Sequence, residues 1–172
     1  MQSKIKCVIR DKNHFIKVNI FGHTSKGIPG IEVVGIGNQG RFIKEKFVQI
    51  SKELNMRIPP LKYTLCVEIN ESMKLPKDEV ANVELPLLIT FWSLASQIPI
   101  KNLNDCLAFG KVTVDREIIV PGWGVPKDFF GEAKKTKIIS PFELSTLTDE
   151  EKIPLRDLFQ NIGPFNFLTT TT

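Results

Sequence analysis

A mixed β-sheet packed by helices, of the α/β (α+β) class, is the fold this chain predicts. Three patterns point to it: paired period-two apolar runs near the start, an amphipathic stripe after a glycine-rich break, and strands alternating with helices from there on. With 172 residues, 42% hydrophobic and 24% charged, the chain suits one ordinary globular domain. Such a length buries a sizeable core without disulfide or metal staples.

The elements follow in order. Residues 4–10 and 14–22 alternate apolar and polar residues and read as paired strands, with Asp11-Lys12-Asn13 as the turn. His23 to Gly30 is a loop with two glycines and Pro29, and Ile31 to Ile36 is a third, β-branched strand. Gly37-Asn38-Gln39-Gly40 breaks it, and a helix follows. Ile43, Phe47, Ile50 and Leu54 recur at i, i+4, i+7 and i+11, so they share one face. Pro59-Pro60 closes that segment. Leu61 to Ile69 is a fourth strand and Asn70 to Asn82 a polar loop. Glu84 to Gln97 is apolar nearly all round and reads as a mostly buried helix, with Pro86 tolerated in its first turn. Leu107–Val114 and Glu117–Val120 read as a hairpin around Asp115-Arg116. Lys137–Ser140 suggests a short strand and Asp149–Gln160 a short helix, and the tail Thr169–Thr172 is expected to fray.

Composition narrows the function classes. Cys7, Cys66 and Cys106 are odd in number, far apart and form no C-x-x-C pair, which argues against a zinc site or a disulfide framework. His14 and His23 flank the second strand without an acid-and-nucleophile set and read as ordinary strand-end residues. Met1-Gln2-Ser3-Lys4 leads straight into strand sequence, and Leu85–Ala95 is too short to span a bilayer. A cytoplasmic protein without membrane contact is the expectation, which leaves the sequon Asn70-Glu71-Ser72 idle. The net charge of +4 is uneven: residues 1–62 hold 12 Lys/Arg against 4 Asp/Glu, and residues 63–172 hold 11 against 15. A basic front half suits nucleic acid or an acidic partner. Without an aromatic-and-basic motif along the chain, a solvated lysine-rich surface is the preferred reading.

Gly35-Ile36-Gly37-Asn38-Gln39-Gly40 is a literal G-x-G-x-x-G between strand and helix. In a dinucleotide site such glycines let backbone approach a pyrophosphate at the helix N-terminus. Two strands precede this run, however, and Glu68 and Glu71 come too late to be the ribose-binding acid. A tight strand-to-helix turn is the preferred reading. No P-loop is present: Gly110-Lys111 is followed by Val112, and Asp105 stands where the first glycine should be.

The stretch Gly27-Ile28-Pro29-Gly30-Ile31-Glu32-Val33-Val34-Gly35-Ile36 resembles the G-L-P-x-x-x-x-V-G-L opening of the magnesium-chelatase-like competence-protein family (ComM, YifB). The likeness continues through the basic helix at Lys44-Glu45-Lys46-Phe47 and the turn Ile58-Pro59-Pro60-Leu61-Lys62. It runs on through Leu75-Pro76-Lys77-Asp78, Glu84-Leu85-Pro86-Leu87 and Gly110-Lys111-Val112-Thr113-Val114-Asp115, about 100 residues in all. The resemblance implies a Lon-protease-like domain with the fold of ribosomal protein S-five domain two, here spanning residues 1–125. Residues 126–172 would then be an extension that completes or flanks it. In the family this domain precedes an AAA+ ATPase that works on DNA in the competence branch; these 172 residues hold no such module.

Lon proteases use a Ser nucleophile and a Lys base. Aligned through Glu84-Leu85-Pro86, the serine falls on Asn82, within one position, and the lysine near Val125; neither residue can do that chemistry. The resemblance therefore implies a catalytically silent binding or assembly module without cofactor or metal. Its expected partners are a protein or a second copy, with weak non-specific DNA contact through Lys44, Lys46, Lys52 and Arg57, which lie off the apolar stripe. Two alternatives stand beside it: a nicotinamide-dependent oxidoreductase using Gly35, Gly37 and Gly40, and a Lon-type peptidase with Ser72 and Lys77 as a displaced dyad.

Overall fold

The computed structural model describes residues 1–69, 77–123, 136–140 and 152–170. It is a mixed α/β structure built on a seven-stranded sheet. β1 (Gln2–Asp11) and β2 (His14–Ser25) form a ten-pair antiparallel ladder, with Lys12 supplying the left-handed turn at φ 56°. β3 (Gly30–Val34) lies parallel to β4 (Lys62–Ile69), and β4 runs antiparallel to β2. Between them α1 (Gln39–Glu53) buries Ile43, Phe47 and Ile50, the predicted stripe. Asn55, at φ 53°, ends that helix by giving its N–H to the Lys52 carbonyl, and Met56 bonds Ser51.

α2 (Lys77–Val80) and a 3-10 turn (Ala81–Val83) lead into α3 (Glu84–Leu94). Lys77–Asn82 was expected as loop. Asp78 and Glu79 in the first turn of α2 favour helix instead. All eleven residues of α3 are buried, as an all-round apolar helix requires. It stops at Leu94, not Gln97, because Ser96 turns left-handed (φ 57°) and bonds Ser93 while Gln97 bonds Trp92.

The expected hairpin arm 107–114 is divided between two sheets. β5 (Cys106–Leu107) pairs parallel with β1, whereas β6 (Lys111–Val112) pairs antiparallel with β7 (Glu117–Pro121). Leu85 N–H bonds the Gly110 carbonyl and Gly110 N–H bonds the Asn82 carbonyl, so the start of α3 holds the chain where it changes sheets. β8 (Lys137–Ser140) joins β5, and β9 (Lys152–Pro154) joins β8. The expected helix over 149–160 contracts to α4 (Leu155–Leu158), because Pro154 holds an extended backbone just before it; 149–151 lie outside the described residues. Thr169 and Thr170 do not fray. They belong to β10 (Asn166–Thr170), parallel to β7 and paired with Val120 and Pro121.

The main sheet runs β3-β4-β2-β1-β5-β8-β9, and the second runs β10-β7-β6. One face of the main sheet carries α1 and α3. Ile5, Cys7 and Ile9 of β1, Val18 and Ile20 of β2, and Tyr63, Leu65 and Val67 of β4 point into that layer. Phe47 and Phe91 stack across it at 6.4 Å, Tyr63 meets Phe91 edge-on at 5.1 Å, and Trp92 sits against Phe159 and Phe165. Phe47 and Phe91, both fully buried, contribute about 1.5–3 kcal/mol each by leaving water. A Cβ on Gly22 would stand 2.9 Å from Leu94 and Thr90, so α3 rests directly on β2 there. Among the described residues, no helix is long and apolar enough to cross a membrane.

Candidate functional site

The glycine run is a packed turn. Gly35 ends β3 at φ 104°, and a Cβ on it would lie 2.1 Å from the Val67 carbonyl. Gly40 is buried, with its Cβ position 2.6 Å from the Val33 carbonyl. Gly37, at φ 59°, faces open space. β3 is the edge strand of the sheet, not the central strand a dinucleotide crevice requires. A shallow depression of about 560 Å³ runs along this edge, lined by Glu32, Gly37, Asn38, Arg41, Lys44 and Lys62 among others. Lys62 is paired with Glu32 at 3.5 Å.

Asn82, which the alignment sets in the nucleophile position, is buried in the 3-10 turn. Its carboxamide donates to Glu79 Oε2 at 2.9 Å, and its carbonyl accepts from Gly110 N–H and from the Cys7 thiol. Glu79 also accepts the Arg10 backbone N–H at 3.2 Å. Every polar atom of Asn82 named here is thus spent on holding strand and helix together. Lys77 is exposed, whereas Ser72 and Val125 lie outside the described residues. Cys7 is fully buried and its thiol is pushed far above the ordinary range by desolvation; burial also raises Cys66 and Cys106. All three are free thiols, and none has the electropositive, exposed setting that activates a cysteine.

The four basic positions of the candidate DNA contact do not form one surface. Lys44 and Lys52 share the exposed side of α1 with Glu45 and Glu53, of which Glu45 is paired with Arg41 at 3.3 Å. Arg57 is exposed beyond the end of the helix. Lys46 was expected to reach solvent and does not. Its ammonium is bonded to Glu84 Oε2 at the start of α3, with the carboxylate side chain 4% exposed and the lysine 20%. The cause is desolvation: Glu84 is buried by the layer between the helices and holds the nearest cation. Burial raises the Glu84 pKa, and the hydrogen bond and charge of Lys46 work against that rise.

The opposite face of the main sheet is the surface that sequence reasoning missed. Strand alternation puts Gln2, Lys4 and Lys6 on it from β1, and Lys17, Asn19, Phe21 and His23 from β2. At one end Trp123 covers it, lying 5.3 Å from Phe15, stacked on Phe109 at 4.8 Å and under the Arg10 guanidinium at 5.8 Å. Toward the other end the described residues leave a depression of about 650 Å³ bounded by Gln2, Lys4, Phe21, His23, Glu68 and Asn104. The signal was the period-two placement of Lys4 and Lys6 and of Phe21 and His23, which becomes a joint surface only once the register is known. His14 opposes Asp11 and His23 opposes Gln2; nine residues apart on one strand, the two point to opposite faces. Among the described residues, no group of three His, Cys, Asp or Glu converges to hold a metal ion. No protein-family model matches the chain, and no curated protein matches it.

Proposed function

We propose that the chain is a non-enzymatic Lon-like domain, related to the magnesium-chelatase-like competence proteins, that works by binding or assembly in the cytoplasm. The observation that carries this reading is the state of Asn82. A nucleophile must be exposed to substrate and next to a base, whereas Asn82 is buried and hydrogen-bonded to Glu79. The adjoining carboxylate, Glu84, is committed to Lys46. Mixed-sheet order and the packed glycine turn accord with the same family, and fold alone leaves the partner open.

The test has two arms. Incubated with unfolded casein and with a serine-reactive phosphonate, the protein should leave casein intact and remain unlabelled. Labelling of Ser72 would replace this reading with the displaced-dyad peptidase. The second arm is weak duplex DNA contact through Lys44, Lys52 and Arg57, with Lys46 excluded by its ion pair. Anisotropy with a short duplex should show binding that falls with salt, and Lys44→Glu with Lys52→Glu should abolish it. Binding unchanged in that variant removes α1 as the contact.

A further inference from the structure

We propose that the chain self-associates through β10, which pairs antiparallel with β10 of a second copy about a two-fold axis at Leu168. This deepens the assembly reading, on which it rests for its purpose, by naming the partner and the surface.

β10 lacks the devices that keep an edge strand single, namely charge, proline or very short length. Of the four sheet edges among the described residues, β3 carries Glu32, and β9 carries Lys152 and Pro154. β6 is two residues long and begins with Lys111. β10 reads Asn-Phe-Leu-Thr-Thr, five residues with neither charge nor proline, and its Phe and Thr favour strand. Among the described residues β7 is its one strand partner, and Asn166, Leu168, Thr169 and Thr170 are all exposed.

The register makes the strand self-complementary. Asn166 gives its N–H to the Arg116 carbonyl at 3.0 Å, so Asn166, Leu168 and Thr170 turn their amide groups toward β7. Phe167 and Thr169 turn theirs away. An antiparallel copy centred on Leu168 sets Phe167 opposite the second copy's Thr169, and the reverse, and each such pair exchanges both N–H to carbonyl bonds. Leu168 then meets its own copy in the close, non-hydrogen-bonded pair, with Cα atoms about 4.5 Å apart. That pairing covers an apolar side chain now 43% exposed. Leu168 lies beside half-buried Ile119, on the sheet face turned away from buried Ile118 and Val120.

Charge and area choose the occupant. A charged strand paired with its own copy sets like charges close together. β10 has none, and the flanking Arg116 and Glu117 on β7 and Arg156 and Asp157 on α4 sum to zero. The strand offers nothing that would select a charged peptide. A two-fold axis uses the free edge of both copies, so association stops at a dimer. Five residues a side bury less than the roughly 1,200 Å² of a standard interface, so the dimer is weak and concentration-dependent.

Sedimentation velocity on the whole chain, from low to high micromolar concentration, tests this. The sedimentation coefficient should rise from monomer toward dimer and no further. Thr169→Pro removes an outward N–H while leaving the β7 ladder whole, and Leu168→Lys sets two ammoniums together on the axis. Each should weaken association about tenfold. Leu168→Glu should do the same alone, whereas an equal mixture of Leu168→Lys and Leu168→Glu should recover the dimer. Circular dichroism melts establish that each variant is folded, and if Thr169→Pro melts early the Leu168 mixture decides. A chain that stays monomeric throughout overturns the proposal, as do species larger than a dimer. So does unchanged association in a folded Leu168→Lys, which places the contact elsewhere, or a mixture that stays monomeric. All of these leave the casein and phosphonate results standing, so failure of the dimer is told apart from failure of the non-enzymatic reading.

Discussion

Replacing Lys46 by Met removes one half of a buried ion pair and keeps most of the side-chain volume. Glu84 would then be a carboxylate 4% exposed with no cation bonded to it. Breaking a buried pair in this way costs about 3–5 kcal/mol, and the partial exposure of Lys46 places this case at the lower end, near 3 kcal/mol. For a chain of this size that lowers Tm by about 6–12 °C. The pH dependence follows from the direction of the Glu84 shift. Its pKa in the fold lies above the ordinary carboxylate value, so the folded state binds the proton more readily than the unfolded state. Stability from this group is therefore lost as pH rises from that ordinary value through the folded one. Without Lys46 the folded pKa climbs further and the window widens upward. Urea midpoints at unchanged m should show the full deficit near pH 7.5 and a smaller one near pH 5. Adding Glu84→Gln to Lys46→Met should recover most of the loss at the higher pH. A deficit below about 0.5 kcal/mol, or one equal at both pH values, would refute the reasoning.

Two further outcomes are expected. Gly35→Ala, which drives a Cβ to 2.1 Å from the Val67 carbonyl at φ 104°, should cost about 3 kcal/mol or more, whereas Gly37→Ala, at φ 59° in open space, should cost about 1 kcal/mol; equal urea midpoints for the two would mean the turn is not packed. In the native protein iodoacetamide should modify half-buried Cys66 first, slowly at neutral pH and faster as pH rises, and reach Cys7 and Cys106 only on unfolding, which peptide mass mapping reads directly.

Much of the architecture is local enough to be legible in the chain. The alternation of β1 and β2, the stripe of Ile43, Phe47 and Ile50, and the all-apolar α3 each follow from periodicity within one segment, because a side chain's direction depends on its own backbone. The preference for a packed turn over a phosphate cradle at Gly35–Gly40 follows from element order and from the late position of Glu68 and Glu71. What the sequence left open are relations between distant residues. Lys46 and Glu84 are 38 positions apart; spacing sets Lys46 three residues after Ile43 and four before Ile50, beside the apolar stripe, and the buried carboxylate across the layer is what turns it inward. Cys106–Leu107 and Lys111–Val112 form one apolar run that tertiary structure divides, because β1 and β7 each offer an open edge and Gly110 lets the chain cross between them. Lys4 and Phe21 are ordinary residues until the register of β1 on β2 sets them side by side. Periodicity along one strand says which face a residue takes, and only the pairing of strands says which residues share it.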